Sequence, residues 1–308
     1  MSSEVAAPER PSAVRIWLMA ARPRTLPAAV APVLVGTSLA ATQGTFKVLT
    51  FIAAMLGALF IQVGTNLSND YSDARRGADT EDRLGPVRVT AGGLVPPRQV
   101  LHATYVSFGV AVLVGCYLVA VAGPGLLLVG AASILAGVLY TGGPRPYGYE
   151  GLGEVFVFLF FGIVAVTGSY FVQTMHLIWE AFVLAVPVGL LAAAILLVNN
   201  IRDVDTDRRA GKRTLAVRLG RDGARALYTV CVLVAFPLAL VPWIAGSLGP
   251  TLLLPLAALP LAFPVIQLVR TRTDGPSLNQ ALANTGLLQL TFCVLLAGGL
   301  LAGPSPGG

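Results

Sequence analysis

The chain has 308 residues, 55% hydrophobic and only 12% charged, with a formal net charge of +6 and a mean hydropathy of +0.76. Soluble domains carry about 25% charged residues, so the composition excludes a soluble domain or a disordered chain, and charge this sparse excludes a nucleic-acid-binding module despite the basic balance. A polytopic membrane protein remains, provided the apolar residues come in runs of about 20.

The runs meet that condition. In chain order they cover 25–43, 48–69, 100–122, 125–141, 152–173, 178–200, 225–244, 248–269 and 280–302. Each is near the roughly 20 residues that cross about 30 Å of hydrocarbon at about 1.5 Å per residue. The alternation expected of membrane barrel strands is missing, so the expected fold is all-α, a bundle of nine transmembrane helices. The 34 glycines and 21 prolines suit close helix approach and tolerated kinks. The polar segment 1–15 reads as disordered or loosely ordered, without a signal-peptide pattern; 16–303 reads as the membrane domain and 304–308 as a tail.

Nine spans place the N-terminus on the same side as the loops after spans 2, 4, 6 and 8. Every basic residue except Lys47 falls on that side. By the positive-inside rule the N-terminus is cytoplasmic, in a cell or inner membrane, and the C-terminus is outside. Cys116, Cys231 and Cys293 lie in three different spans without paired spacing, which is the pattern of packing residues. Neither His102 nor His176 has a ligand partner at helical spacing.

The acids are distributed unevenly. Of 15 Asp and Glu residues, Asp70, Asp73, Asp79, Glu81 and Asp82 fall in one window, and Asp203, Asp205 and Asp207 in another. Both windows lie at the cytoplasmic end of a long apolar run. Asn66, Asp70 and Asp73 are spaced i, i+4, i+7; Asn69 and Asp73 are i, i+4; Asn199, Asp203 and Asp207 are i, i+4, i+8. Each set makes a polar stripe on one helix face. Like charges at that spacing repel, and a carboxylate near hydrocarbon is costly, so cations between two such stripes would relieve both penalties. Oxygen ligands without His or Cys suit Mg²⁺ bound through carboxylates and substrate phosphates. The competing reading is that these are loop acids neutralised by adjacent arginines. Asp205, Glu81 and Asp82 lie off the stripes or farther into the loop, where surface pairing explains them. Asn69 to Asp73 and Asn199 to Asp203 share an Asn-x-x-x-Asp spacing, a hint of internal duplication.

Asn69-Asp70-x-x-Asp73 on helix 2 and Asp203-x-x-x-Asp207 on helix 6 resemble the UbiA superfamily of intramembrane prenyltransferases. The resemblance runs from Ala21-Arg22-Pro23 to span 9. The segments 69–79, Gly85-Pro-Val-Arg88-Val-Thr, Tyr140-Thr-Gly-Gly-Pro, Gly151-Leu-Gly-Glu154 and Asn199-Asn-Ile-Arg-Asp through Gly211-Lys-Arg-Thr-Leu are similar to one branch, the 1,4-dihydroxy-2-naphthoate polyprenyltransferases of menaquinone synthesis. Hydroxybenzoate-type members carry a further Asp where this chain has Gly77, with Asp79 two residues on.

The resemblance implies that a polyprenyl diphosphate binds with Mg²⁺ and ionises, and that the naphthalene ring of 1,4-dihydroxy-2-naphthoate attacks with loss of CO₂ and diphosphate, giving a demethylmenaquinol. It implies Asn69, Asp70, Asp73, Asp79, Asp203 and Asp207 as the metal shell, and Asp70, Asp73, Asp203, Asp207 and Lys212 as the catalytic set. Asn66, Asn69, Asn199 and Asn200 join the substrate site, with Arg22, Arg145 and Lys212 as phosphate contacts and Arg202 and Arg213 as equal candidates. Tyr140, with Tyr71 and Tyr147, would line the aromatic pocket. The loops at 74–98 and 201–224 would cap the polar end. A different acceptor, such as 4-hydroxybenzoate or homogentisate, and a transporter with an acidic ion path stand as alternatives. Membrane lipid is the surrounding partner, and the sequence sets no oligomeric state.

Overall fold

In hydrocarbon a backbone must satisfy its own hydrogen bonds, and the chain does so with helices; no strand occurs among the described residues. The computed structural model describes residues 11–78 and 84–303. The expectations for Asp79, Glu81 and Asp82, and for the segments 1–10 and 304–308, therefore lie outside the described residues. The helices are α1 (Ala13–Ala21), α2 (Pro27–Thr42), α3 (Val48–Arg75), α4 (Pro97–Ala122), α5 (Gly125–Leu139), α6 (Gly153–Thr174), α7 (Trp179–Arg209), α8 (Leu215–Ile244), α9 (Pro250–Thr271) and α10 (Gly275–Ala302). α6 winds more loosely, as a π-helix, over Phe158–Val164, and α9 opens with a tighter 3₁₀ stretch over Pro250–Ala258. α1 starts at Ala13, inside the segment expected to be loosely ordered, where the Ser12 hydroxyl accepts from the Arg15 amide.

Seven helices are long and apolar enough to cross a membrane, or up to eight if Ala13–Thr25 and Pro27–Thr42, bent by 52°, form one span. All nine expected apolar runs are helical, yet the count of nine spans is not reached on length. α5 has 15 residues and so extends only about 22 Å at about 1.5 Å per residue, short of the hydrocarbon thickness of about 30 Å. Two helices err in the other direction. α3 has 28 residues and α7 has 31, lengths of about 42 and 46 Å, so both continue well past the point where hydropathy falls. Asp70, Asp73, Asp203 and Asp207 are carried on these extensions, on helix faces as their spacing predicts and not in loops. The expected cap at 201–224 accordingly shrinks to the short turn between Arg209 and Leu215.

α7 is the central element. Its most apolar window is 72% buried, against 22% for α3 and α4, as expected of a helix that is apolar on every side. Leu184, Leu191, Leu197 and Ile201 are fully buried along it. It packs on α6, α8, α10 and α2, while α3 pairs with α4 on the other side of the bundle. Two glycines permit the α6–α7 contact: a Cβ on Gly162 would stand 2.6 Å from the Gly189 Cα and 2.9 Å from the Ala185 carbonyl oxygen. Small residues at such crossings let backbones approach, which drives association where lipid is as apolar as the side chains.

Gly162→Val should therefore force α6 and α7 apart, at a cost of about 1–3 kcal/mol. A thermal melt of the detergent-solubilised protein is expected to show a clear drop in Tm, whereas Gly168→Val, at a position with open space around it, should melt near the parent.

Candidate active site

The overlong ends of α3 and α7 meet at one end of the bundle and enclose a cavity of about 540 Å³. Its polar end is lined by Arg22, Asn66, Asn69, Asp73, Arg88, Asn199, Asn200, Asp203, Asp207 and Lys212. The remainder is apolar, running past Ile134, Phe156 and Phe160 to Val112 and Leu127, both of which are also exposed on the outer surface of the bundle.

On α3, Asn66, Asn69 and Asp73 line the cavity and Asp70 does not. Successive helical residues are about 100° apart, and here that turn carries Asp70 away from the cavity that Asn69 faces. Asp70 is 1% exposed and accepts hydrogen bonds from the backbone amides of Val89 (3.2 Å) and Thr90 (3.0 Å). Its carboxylate pins the 84–96 loop and stands apart from the cavity lining that holds the other expected metal ligands on α3. The loop so held presents Arg88, whose Nη2 lies 3.3 Å from Asp73 Oδ2. Asp73 Oδ1 also accepts from the Tyr149 hydroxyl at 2.5 Å. Asn69 Oδ1 accepts from the Thr141 hydroxyl, and Asn66 Nδ2 donates to the Ala21 carbonyl and to Thr25.

On α7, Asn199, Asp203 and Asp207 all reach the cavity, as their spacing predicts. Arg202 is 2% exposed and does not line it. It stands behind the wall, donating through Nε and Nη2 to both oxygens of Asp203 and through its two terminal nitrogens to Asn199 and Asn279. Such a fork fixes the Asp203 carboxylate in one orientation. Asn200 turns its amide nitrogen to Glu154 Oε1 at 2.8 Å.

Lys212 links the two stripes. Its Nζ lies 3.9 Å from Asp73 Oδ1 and 3.9 Å from Asp207 Oδ1, and 4.7 Å from the centre of the Tyr149 ring. A positive charge is thus held between α3 and α7. Arg22 also faces the cavity, with Nη2 3.4 Å from the Asn66 carbonyl. Tyr140 and Tyr147 line it, and Tyr71 does not. Burial pushes the Tyr147 phenol well above its ordinary range, so it stays a donor, to the Ala136 carbonyl. Arg145 and Arg213, expected as phosphate contacts, are exposed and are not part of the cavity lining.

Among the described residues no three His, Cys, Asp or Glu side chains form a ready-made metal cluster. The donors that face the cavity are carboxylate and amide oxygens, with a cation already seated between Asp73 and Asp207. That set fits Mg²⁺, which takes few protein carboxylates and completes its shell with phosphate and water.

The comparisons with known proteins agree with this architecture. A model of the UbiA prenyltransferase family matches residues 29–302. The chain belongs to the UbiA prenyltransferase family. It is 42% identical over 288 residues to a Mycobacterium leprae protein named 1,4-dihydroxy-2-naphthoate octaprenyltransferase, covering 93% of this chain and 97% of the relative. A protein of the same name from Escherichia coli is 43% identical, with 72% of this chain and 74% of the relative covered. The fold is similar to a UbiA homolog from Archaeoglobus fulgidus solved with GPP and Mg²⁺, at a TM-score of 0.67 and 14% identity over 93% of this chain and 99% of that one. As a UbiA member with this many apolar helices, the chain is an integral membrane protein.

Arg88, Tyr149 and Thr141 also line this UbiA cavity, where no helical spacing marks them. Arg88 and Thr141 stand inside motifs that carry the family resemblance, and Tyr149 lies between two of them, so the signal was proximity in sequence and not residue type. The division of labour between neighbouring acids is testable by hydrogen exchange. Asp70→Ala should raise amide exchange at Val89 and Thr90, since a buried amide that loses its acceptor costs about 1–3 kcal/mol, whereas Asp73→Asn should leave those two amides protected.

Proposed function

We propose that the chain transfers a polyprenyl group from polyprenyl diphosphate to 1,4-dihydroxy-2-naphthoate, with loss of CO₂ and diphosphate, in a Mg²⁺-dependent reaction at the cytoplasmic face of the cell membrane. The observation that carries the reading is the pairing of two acidic helix ends around Lys212 with an apolar cavity leading away from them. That combination matches a substrate with an anionic head and a hydrocarbon tail. The name of the relatives at 42% and 43% identity supplies the acceptor.

Asp73, Asp203 and Asp207 would hold Mg²⁺, with Asn69 and Asn199 beside them; Asp79 belongs to the same proposed shell by its place in the sequence. Mg²⁺ supplies neutralisation of the diphosphate, whose charge grows as the allylic C–O bond breaks. Lys212, Arg88 and Arg22 present fixed positive charge to the same leaving group, and Asn66 holds the α3 wall to Ala21 and Thr25. The rings of Tyr140, Tyr147 and Tyr149 line the cavity, where an electron-rich ring face would shield a developing cation. The ring carbon that bears the carboxylate attacks the allylic carbon, and departure of CO₂ restores aromaticity without a separate base. The prenyl tail follows the apolar walls to the exposed edge at Val112 and Leu127, where it continues into lipid. All the cavity acids stand at one end, not at the midplane where transporter sites usually lie, which favours the enzyme over a transporter.

The assay is the purified full chain in liposomes with Mg²⁺, a long-chain prenyl diphosphate and a panel of 1,4-dihydroxy-2-naphthoate, 4-hydroxybenzoate and homogentisate. Prenylated, decarboxylated product is expected from the first acid alone; turnover of another acid in its place would overturn the acceptor. Asp73→Ala and Asp203→Ala are each expected to lower kcat by at least about 10²-fold, with normal insertion and extraction. EDTA should abolish turnover and excess Mg²⁺ restore it.

A further inference from the structure

Behind the wall made by Tyr140 and Asn200 lies a carboxyl group that the reaction above does not use. Glu154 stands in the first turn of α6 and is 5% exposed. Its Oε1 accepts from Asn200 Nδ2 at 2.8 Å, and its Oε2 has no hydrogen-bond partner among the described residues. Leaving a buried polar atom unpaired costs about 1–3 kcal/mol. The surrounding helices are apolar, and a hydrocarbon side chain would avoid that cost. Stability alone does not account for a carboxyl here.

The one bond that Glu154 makes has a directional consequence. Glu154 Oε1 is the acceptor in that bond, so the Asn200 amide turns its nitrogen inward. That leaves Asn200 Oδ1 as the atom available on the cavity side, where Asn200 is part of the lining. An Asn amide has nearly the same shape in its two flipped states, and only its partners choose between them. Glu154 makes that choice. The Tyr140 hydroxyl belongs to the same patch: a Cβ on Gly153, the residue before Glu154, would lie 3.6 Å from it. Both Tyr140 and Asn200 face the cavity at the end of α5 and on α7, beside the carboxylates but not among them.

We propose that Glu154 is a positioning residue for the aromatic acceptor: it locks the Asn200 amide so that a carbonyl oxygen meets a hydroxyl of the incoming ring. The proposal rests on the reading of the chain as a prenyltransferase of a hydroxylated aromatic acid. A site built around a fixed acceptor atom rejects an analogue that lacks the matching donor, because the acceptor is then left unpaired.

Calorimetry on the purified full chain in detergent micelles tests this without turnover. The ligands are 1,4-dihydroxy-2-naphthoate, 2-naphthoate without hydroxyls, and a non-reacting prenyl thiolodiphosphate with Mg²⁺. Glu154→Gln, whose amide lets Asn200 flip, should weaken the dihydroxy acid about tenfold, the worth of one hydrogen bond, and leave the thiolodiphosphate within about twofold. Affinity for 2-naphthoate should not change. Asn200→Ala should lose a similar factor, and the double variant should lose no more than Asn200→Ala, since Glu154 acts through Asn200. The proposal is overturned if Glu154→Gln binds the dihydroxy acid like the parent. Additive losses in the double variant would also sink it, as would a loss of all ligands together, which marks a role in the fold alone. A parent protein that binds the acid but never prenylates it removes the enzyme reading and leaves the Glu154–Asn200 coupling standing; a parent that binds no acid removes both.

Discussion

A carboxylate at the edge of hydrocarbon has to be hydrogen-bonded or paired, because the effective cost of removing an ion from water is several kcal/mol. Each acid on the ends of α3 and α7 meets this requirement differently. Asp70 is held by two backbone amides, Asp203 by the forked guanidinium of Arg202, and Asp73 by Tyr149 and Arg88. Asp73 and Asp207 share the ammonium of Lys212. The arrangement of loops and helix ends follows from these pairings. The 84–96 segment folds back because Asp70 offers it two acceptor oxygens. The turn after α7 closes over the cavity because Lys212 sits between two carboxylates. The backbone amide of Arg213 ties that turn to the Tyr149 carbonyl at 2.7 Å, so the loop after α5 and the turn after α7 are joined at the point where both face Asp73.

The same requirement separates acids that serve the fold from acids that serve the site. Asp70 has both oxygens committed to amides and lies off the cavity, so its removal loosens a loop. Asp73 and Asp207 share the buried Lys212 ammonium at 3.9 Å, a longer contact than the 2.6 Å between Arg202 and Asp203. Asp203 lies between these extremes: its orientation is fixed from behind by Arg202, leaving the cavity side open. Preorganisation of this kind is what an electrostatic site needs, since the charges stand in place before the leaving group develops its own.

Hydropathy located all nine apolar segments, and helical spacing placed Asn199, Asp203 and Asp207 on one face, which is where they lie. The limits have physical causes. Hydropathy marks where lipid contact ends, whereas a helix ends where its hydrogen-bond ladder is capped, so α3 and α7 run on to Arg75 and Arg209. A 15-residue run such as α5 counts as apolar without being long enough to span. Arg145, Arg202 and Arg213 carry charge in or near the motifs, and charge does not say which way a side chain points. Tyr149 and Glu154 carried no spacing signal because they act across the bundle, on α3 and α7 respectively.

By itself the sequence determined that the chain is a helical membrane protein with its charge gathered at one end, since composition and period depend only on local residue order. It also carried the family, because enough of the motif residues stand in one chain at fixed spacing. The tertiary structure decided which of two adjacent acids faces the cavity, which arginine stands behind a carboxylate rather than before a substrate, and which amide is turned by a buried glutamate. Those outcomes involve contacts that reach across 15 to 139 positions, such as Arg88 to Asp73, Asn200 to Glu154, Arg202 to Asn279 and Lys212 to Asp73, and the direction of a side chain is fixed only when the element it packs against is in place.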